Sequence, residues 1–176
     1  MTLRQMPIPS ILPRTSGTFV RVEVRESSIF GQGCFAGHSI DKGTIVCCFT
    51  LGAKVITEEQ YLDACRAEVL PLMRTGTRYA GKYFTVGNEQ EPYTFINHSF
   101  VPNLLCHCGV VLAKRAIPAG EEMTLDYRFL IDETDIGIYR DAKTGREIRG
   151  FPARETLLRT ARQLVELVES VEGWEG

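Results

Sequence analysis

A chain of 176 residues is long enough for one domain whose core needs no metal or disulfide staple. With 44% hydrophobic and 24% charged residues and a formal net charge of −2, it is neither disordered nor fibrous, and no global basic field draws it to nucleic acid. No apolar run reaches the roughly 18 residues of a membrane helix, and Met1 to Arg14 lacks the apolar stretch of a signal peptide, so the expected compartment is intracellular: cytoplasmic for a microbial source, with the nucleus open for a eukaryotic one.

Residues 1–17, with Pro7, Pro9 and Pro13, read as a proline-rich lead-in. Phe19 to Arg25 then alternates Val20, Val22 and Val24 with Arg21, Glu23 and Arg25, the pattern of a half-buried strand. Gly31 to Gly37 reads as a glycine-rich turn, and Asp41-Lys42-Gly43 as a second turn before a strand over Thr44 to Thr50. A first helix is expected from Thr57, which forms a capping box with Gln60, to Leu70, stopped by Pro71. Short strands follow at Tyr83–Val86, Thr94–Ile96, Leu104–Cys108, Val110–Lys114 and Met123–Leu125, separated by turns at Gly87-Asn88, Pro102-Asn103, Gly109 and Pro118 to Gly120. Residues 128–150 are weakly patterned around a turn at Asp141 to Gly145. A last helix runs from near Pro152 to about Val171, with Leu157, Ala161, Leu164, Val165, Val168 and Val171 as its apolar stripe. The fold class is therefore mainly β, with one inserted and one C-terminal helix.

Three local patterns point toward other chemistries. Gly31-Gln32-Gly33-Cys34-Phe35-Ala36 fits a dinucleotide-binding fingerprint, but that motif must open a helix and be followed about 20 residues later by an acidic residue. The position here is Ala53, and the next turn forbids a long helix, so a turn whose amides can approach a ligand remains. Cys106-His107-Cys108 suggests a metal site, yet tetrahedral zinc needs four ligands and no second spaced pair exists. Alternation on a strand explains it equally well, and no metal is expected. Asn97-His98-Ser99 matches a glycosylation sequon that has no bearing on an intracellular chain.

Three separated segments remain: Gly31 to Ala36, Phe95-Ile96-Asn97-His98-Ser99-Phe100-Val101-Pro102-Asn103, and Gly120-Glu121-Glu122-Met123-Thr124-Leu125-Asp126-Tyr127. Their order, spacing and wording resemble the SET-domain family of protein lysine methyltransferases. The resemblance implies a SET-type (β-clip) fold of small sheets in which the last two segments cross in a knot-like arrangement. It divides the chain into the lead-in, a SET domain over 18–128 and a C-terminal segment over 129–176.

It also implies S-adenosyl-L-methionine as cofactor and a lysine-bearing protein or peptide as substrate, the two meeting in a narrow channel. Gln32, Gly33, Cys34 and Phe35 would lie along the cofactor, Asn97 at its methionyl end and the main chain of His98 at its adenine. Tyr127 would sit at the point of transfer. Methyl transfer from a sulfonium to an amine is an in-line displacement governed by alignment and electrostatics. The lysine must first lose its proton, which an apolar channel favours. A tyrosine with a pKa near 10 is a poor base at neutral pH, so Tyr127 is expected to orient the amine.

Each residue also has a plainer reading: Asn97 and His98 as turn residues satisfying backbone, and Tyr127 as a core tyrosine. Glu121 and Glu122 read most simply as solvating the turn before them. An alternative for the whole chain is a SET-like interaction module without catalysis. Many relatives carry a zinc-binding Cys-x-Cys-x4-Cys segment after the tyrosine, whereas no cysteine follows Cys108 here. Phe129, Tyr139 and Phe151 are available to cover adenine or line the channel instead. Leu125 and Cys106 replace aromatic residues that relatives can place in the channel, and Thr94 an arginine, leaving the number of methyl groups undetermined. The terminal helix offers a face for a homodimer, although packing on the core is the simpler arrangement.

Overall fold

The computed structural model describes residues 17–49, 53–69, 76–80, 82–87, 91–134 and 139–172. The lead-in to residue 16, Thr50, Leu70 and Pro71, where the first helix was expected to stop, and Asn88 lie outside them. Val22–Glu26 (β1) and Gln32–Ala36 (β2) form an antiparallel hairpin with Val22 opposite Ala36. The expected glycine-rich turn is thus a strand, and Gly33 to Ala36 are buried in it. Only Gly31, at φ +49°, serves the turn itself, where a side chain would be strained.

Ile45–Cys48 (β3) pairs with Val110–Ala113 (β9), which in turn pairs with Leu104–His107 (β8), all antiparallel. Both faces of this sheet are covered, and strand alternation divides its side chains between them. Leu104, Cys106, Val111 and Ala113 belong to the main core with Cys34, Val46, Ile117, Met123 and Leu125. Leu105 and Leu112 face the other way and pack with Leu167 of the C-terminal helix. The Cys106-His107-Cys108 pattern follows from this: Cys106 packs against the main core, and His107 bonds Thr160 of that helix at 2.8 Å.

The C-terminal helix, α2 after α1 below, spans Ala153–Glu169. Its buried residues are Thr160 and Leu167, flanked by Leu164 and Val171 packed on the same cluster. The expected stripe is therefore rotated: Leu157 and Val165 face outward, at 39% and 55% exposure. Thr160 sits on the inner face because His107 opposite it accepts or donates a hydrogen bond, a complement that hydrophobic patterning does not register.

The inserted unit comprises Lys54–Thr57 (β4), α1 over Glu58–Arg66, Thr77–Ala80 (β5) and Tyr83–Val86 (β6), with sheet order β4-β6-β5. The Thr57–Gln60 capping box is formed in both directions, and Tyr61 stacks on Phe84 with ring centroids 4.2 Å apart. Thr94–Ile96 is not a strand: Pro92–Phe95 makes a 3-10 turn, opened by a proline whose fixed φ and missing N–H suit that position. Asn97–His98 (β7) and Thr124–Leu125 (β10) form a two-residue parallel pair, with Thr124 opposite Asn97 and Leu125 opposite His98. The fold is mainly small β-sheets with an inserted and a C-terminal helix, as the patterning indicated. No described helix is long and apolar enough to cross a membrane.

Candidate active site

Residues 120–125 run between β2 and β7. On one side, Ala36 N donates to Glu121 O and Met123 N to Cys34 O, at 2.9 and 2.8 Å. On the other lies the β7–β10 pair, extended by Ser99 N donating to Leu125 O at 2.9 Å. Asn103, 2% exposed, fastens the crossing. Its Nδ2 donates to Glu121 Oε1 and Glu122 O at 3.0 and 2.8 Å, while Thr124 N donates to its Oδ1 at 2.8 Å. A buried asparagine can satisfy strand ends that neither sheet pairs, which is why this residue type serves here.

The two glutamates are anchors rather than solvating groups. Glu121 forms an ion pair with Arg115, and that guanidinium holds its carboxyl below the usual range. Glu122 accepts from Ser27 Oγ at 2.7 Å and from Asn97 Nδ2 at 2.8 Å. A charge next to a turn suggests solvation; Arg115 is a local partner across that turn, but only the packing of distant segments brings Ser27 and Asn97 to Glu122.

Tyr127 follows directly. Its hydroxyl donates to Ile96 O at 2.7 Å, and its backbone N–H donates to His98 Nδ1 at 3.1 Å. Burial, reinforced by Tyr139, pushes its pKa up to about 12, so the phenol is neutral at any physiological pH. His98 is 6% exposed, and desolvation lowers its pKa from the ordinary histidine value. Since Nδ1 accepts, the proton of the neutral ring sits on Nε2. That atom is buried without a hydrogen-bond partner among the described residues, in a ring set edge-on to Phe100 at 4.5 Å.

Two cavities meet at Tyr127. The first, of about 640 Å³, is lined by Ile29, Phe30, Gly31, Gln32, Phe95, Asn97, His98, Arg140, Ala142 and Ile148, with Thr94, Tyr127 and Tyr139. The second, of about 560 Å³, is lined chiefly by aromatic and aliphatic side chains, among them Phe49, Tyr61, Phe84, Tyr93, Leu125 and Leu130, with the Glu58–Arg78 ion pair at 2.9 Å in its wall. Among the described residues they share Thr94, Tyr127 and Tyr139 alone. Tyr139 stands edge to face with Tyr127, ring centroids 6.3 Å apart.

Of the residues singled out in the sequence, Gln32, Asn97, His98 and Tyr127 are brought to the first cavity. Gly33, Cys34 and Phe35 do not line it: Cys34 is in the core, and the Phe35 ring lies under the Arg25 guanidinium at 3.5 Å. Of the aromatic residues after Tyr127, Tyr139 reaches both cavities, while Phe129 and Phe151 pair with each other at 5.3 Å. Leu125 lines the second cavity and Cys106 does not. The walls contributed by Ile29, Phe30, Arg140 and Ile148 carry no sequence signal, because they come from loops without periodicity. Among the described residues no three metal-ligating side chains are grouped.

The first cavity is of a size usual for small-molecule sites, about 300–1,000 Å³. Its mostly apolar wall carries a few polar groups, a combination that suits a zwitterionic ligand with a flat heterocycle. Gln32, Asn97 and Arg140 supply amide and cationic groups, and Phe95 and Tyr139 aromatic surface.

Residues 31–128 match the SET domain family. The fold is similar to that of the Neurospora SET domain protein DIM-5, a histone lysine methyltransferase, at 23% identity and a TM-score of 0.46. The similarity covers 63% of this chain and 53% of that one, so the chain spans about half the length of that protein. No curated protein matches the chain in sequence. With its matched region running from the turn before β2 to Arg128, and so through Asn97, His98 and Tyr127, the chain belongs to the SET-domain family.

Proposed function

We infer that the chain is an S-adenosyl-L-methionine-dependent protein-lysine N-methyltransferase. One observation carries this reading: a neutral, buried tyrosine stands between two cavities that, among the described residues, share only it, Thr94 and Tyr139. Two ligands that must exchange a group through a narrow junction need that arrangement.

The first cavity would take the cofactor, held by Gln32, Asn97 and His98 with Arg140 at its wall. When bound, the cofactor supplies a methyl group on a sulfonium. The second cavity, with its aromatic side chains, would take a lysine side chain of a protein or peptide. Loss of hydration on enclosure favours the uncharged amine, so the ammonium proton leaves to solvent before the side chain is enclosed. Tyr127 then orients. Its hydroxyl hydrogen is committed to Ile96 O, which leaves the oxygen lone pairs to face the amine and the transferring methyl. A phenol with a pKa of about 12 does not accept the proton. Tyr139 covers the junction and keeps water out, the part that a cysteine-rich segment plays in relatives.

Radiolabelled S-adenosylmethionine incubated with the purified chain and a protein extract tests this. Label is expected on lysine of a protein acceptor. Tight cofactor binding without any transfer would instead favour a non-catalytic module.

A further inference from the structure

We propose that Glu122 is a positioning residue for cofactor binding, acting through Asn97 and Ser27; this rests on the first cavity being the cofactor site. Glu122 lines neither cavity, yet it joins the two chain segments that build the first one. Its Oε1 accepts from Ser27 Oγ at 2.7 Å and from Asn97 Nδ2 at 2.8 Å, and its Oε2 lies 2.9 Å from the same Ser27 oxygen.

Both partners pass the constraint on. Ser27 Oγ accepts from Ile29 N at 2.8 Å and Phe30 N at 3.4 Å, shaping the turn that walls the cavity. Asn97 Nδ2 also reaches Phe30 O and Gln32 O, both at 3.1 Å. A carboxylate therefore fixes the turn and the asparagine in one register. Gly33 confirms how closely the carboxylate is seated, because a Cβ at that position would collide with Glu122 Oε1 and lie 3.0 Å from Ser27 Cβ. Without this charge, Asn97 loses its strongest acceptor and is free to turn away from the cavity, while the second cavity is untouched.

The test is calorimetry with S-adenosylmethionine on the full chain, together with separate KM values for cofactor and acceptor once an acceptor is known. Glu122→Ala is expected to weaken cofactor binding roughly ten- to a hundredfold. The acceptor KM, and kcat at saturating cofactor, should stay within about twofold, a split that general destabilisation would not give. Glu122→Gln, which keeps one acceptor oxygen for Asn97, should recover part of the loss. Ser27→Ala, which leaves the carboxylate in place, should lose affinity by a smaller factor, roughly two- to tenfold, and it decides the matter if Glu122→Ala does not fold. Cofactor binding unchanged in both Glu122→Ala and Ser27→Ala, or in Ser27→Ala alone where Glu122→Ala is unfolded, overturns the proposal. Absence of binding by the unsubstituted, folded protein would instead overturn the cofactor reading beneath it.

Discussion

His98 and Tyr127, 29 residues apart, hold each other through one hydrogen bond from the Tyr127 amide to His98 Nδ1, at 3.1 Å. The bond exists only while the imidazole is neutral, since a protonated ring has no acceptor. The placement of Tyr127 is thereby tied to a proton.

The sign follows from the direction of the His98 shift. Desolvation lowers its folded pKa below the ordinary value of 6.5, so between those two pKa values the unfolded chain binds more protons. This site contributes nothing to the pH dependence well above 6.5. As pH falls through 6.5, stability declines, and the decline levels off once pH is below the folded pKa. Thermal melts from pH 8 to 5 should show this loss, and His98→Asn, which keeps an acceptor without a titrating ring, should flatten it. An unchanged acid limb in His98→Asn would remove His98 as its source.

Tyr127→Phe removes the hydroxyl that donates to Ile96 O and leaves the ring between the cavities. Methyl transfer is expected to fall roughly a hundredfold or more, because an interaction at the reacting centre is lost. Cofactor affinity by calorimetry should change little. Full activity in this variant would show that the oxygen has no part in transfer.

Asn103→Ala should destabilise the chain by about 2–3 kcal/mol in urea, since it strands the buried Thr124 amide and both glutamate contacts. A loss below about 0.5 kcal/mol would mean that other groups or water take over those bonds.

Tyr139→Ala should open the junction and lower kcat on the order of tenfold through water access and looser alignment, with Tyr139→Phe retaining most activity. Equal loss in both variants would shift the role from the ring to its hydroxyl.

Much of the fold was legible from short-range chemistry. The Thr57–Gln60 box set the start of α1, and Gly109 turned β8 into β9. Leu104 to Ala113 showed the alternation of strands whose two faces meet different partners. Local signals misled where burial came from a distant segment. Gly31 to Gly37 looked like a turn because glycine favours turns, but Gly33 is there so that Glu122 can pass over β2. Thr94–Ile96 looked like a strand because its residues are β-branched or aromatic, but Pro92 starts a 3-10 turn there.

By itself the sequence determined the mainly β fold class, the family resemblance and the cluster of Asn97, His98 and Tyr127, because motif wording and hydrophobic period are properties of neighbouring residues. Tertiary structure alone decided which side chains face a cavity: Gln32 and not Cys34, Tyr139 and not Phe129, Glu122 as an anchor and not a solvated charge. Those outcomes depend on β7 and β10 lying side by side, a pairing of only two residues per strand. So short a pairing leaves no periodic trace, and its stability comes from bonds such as those of Asn103 that span 18 to 21 residues.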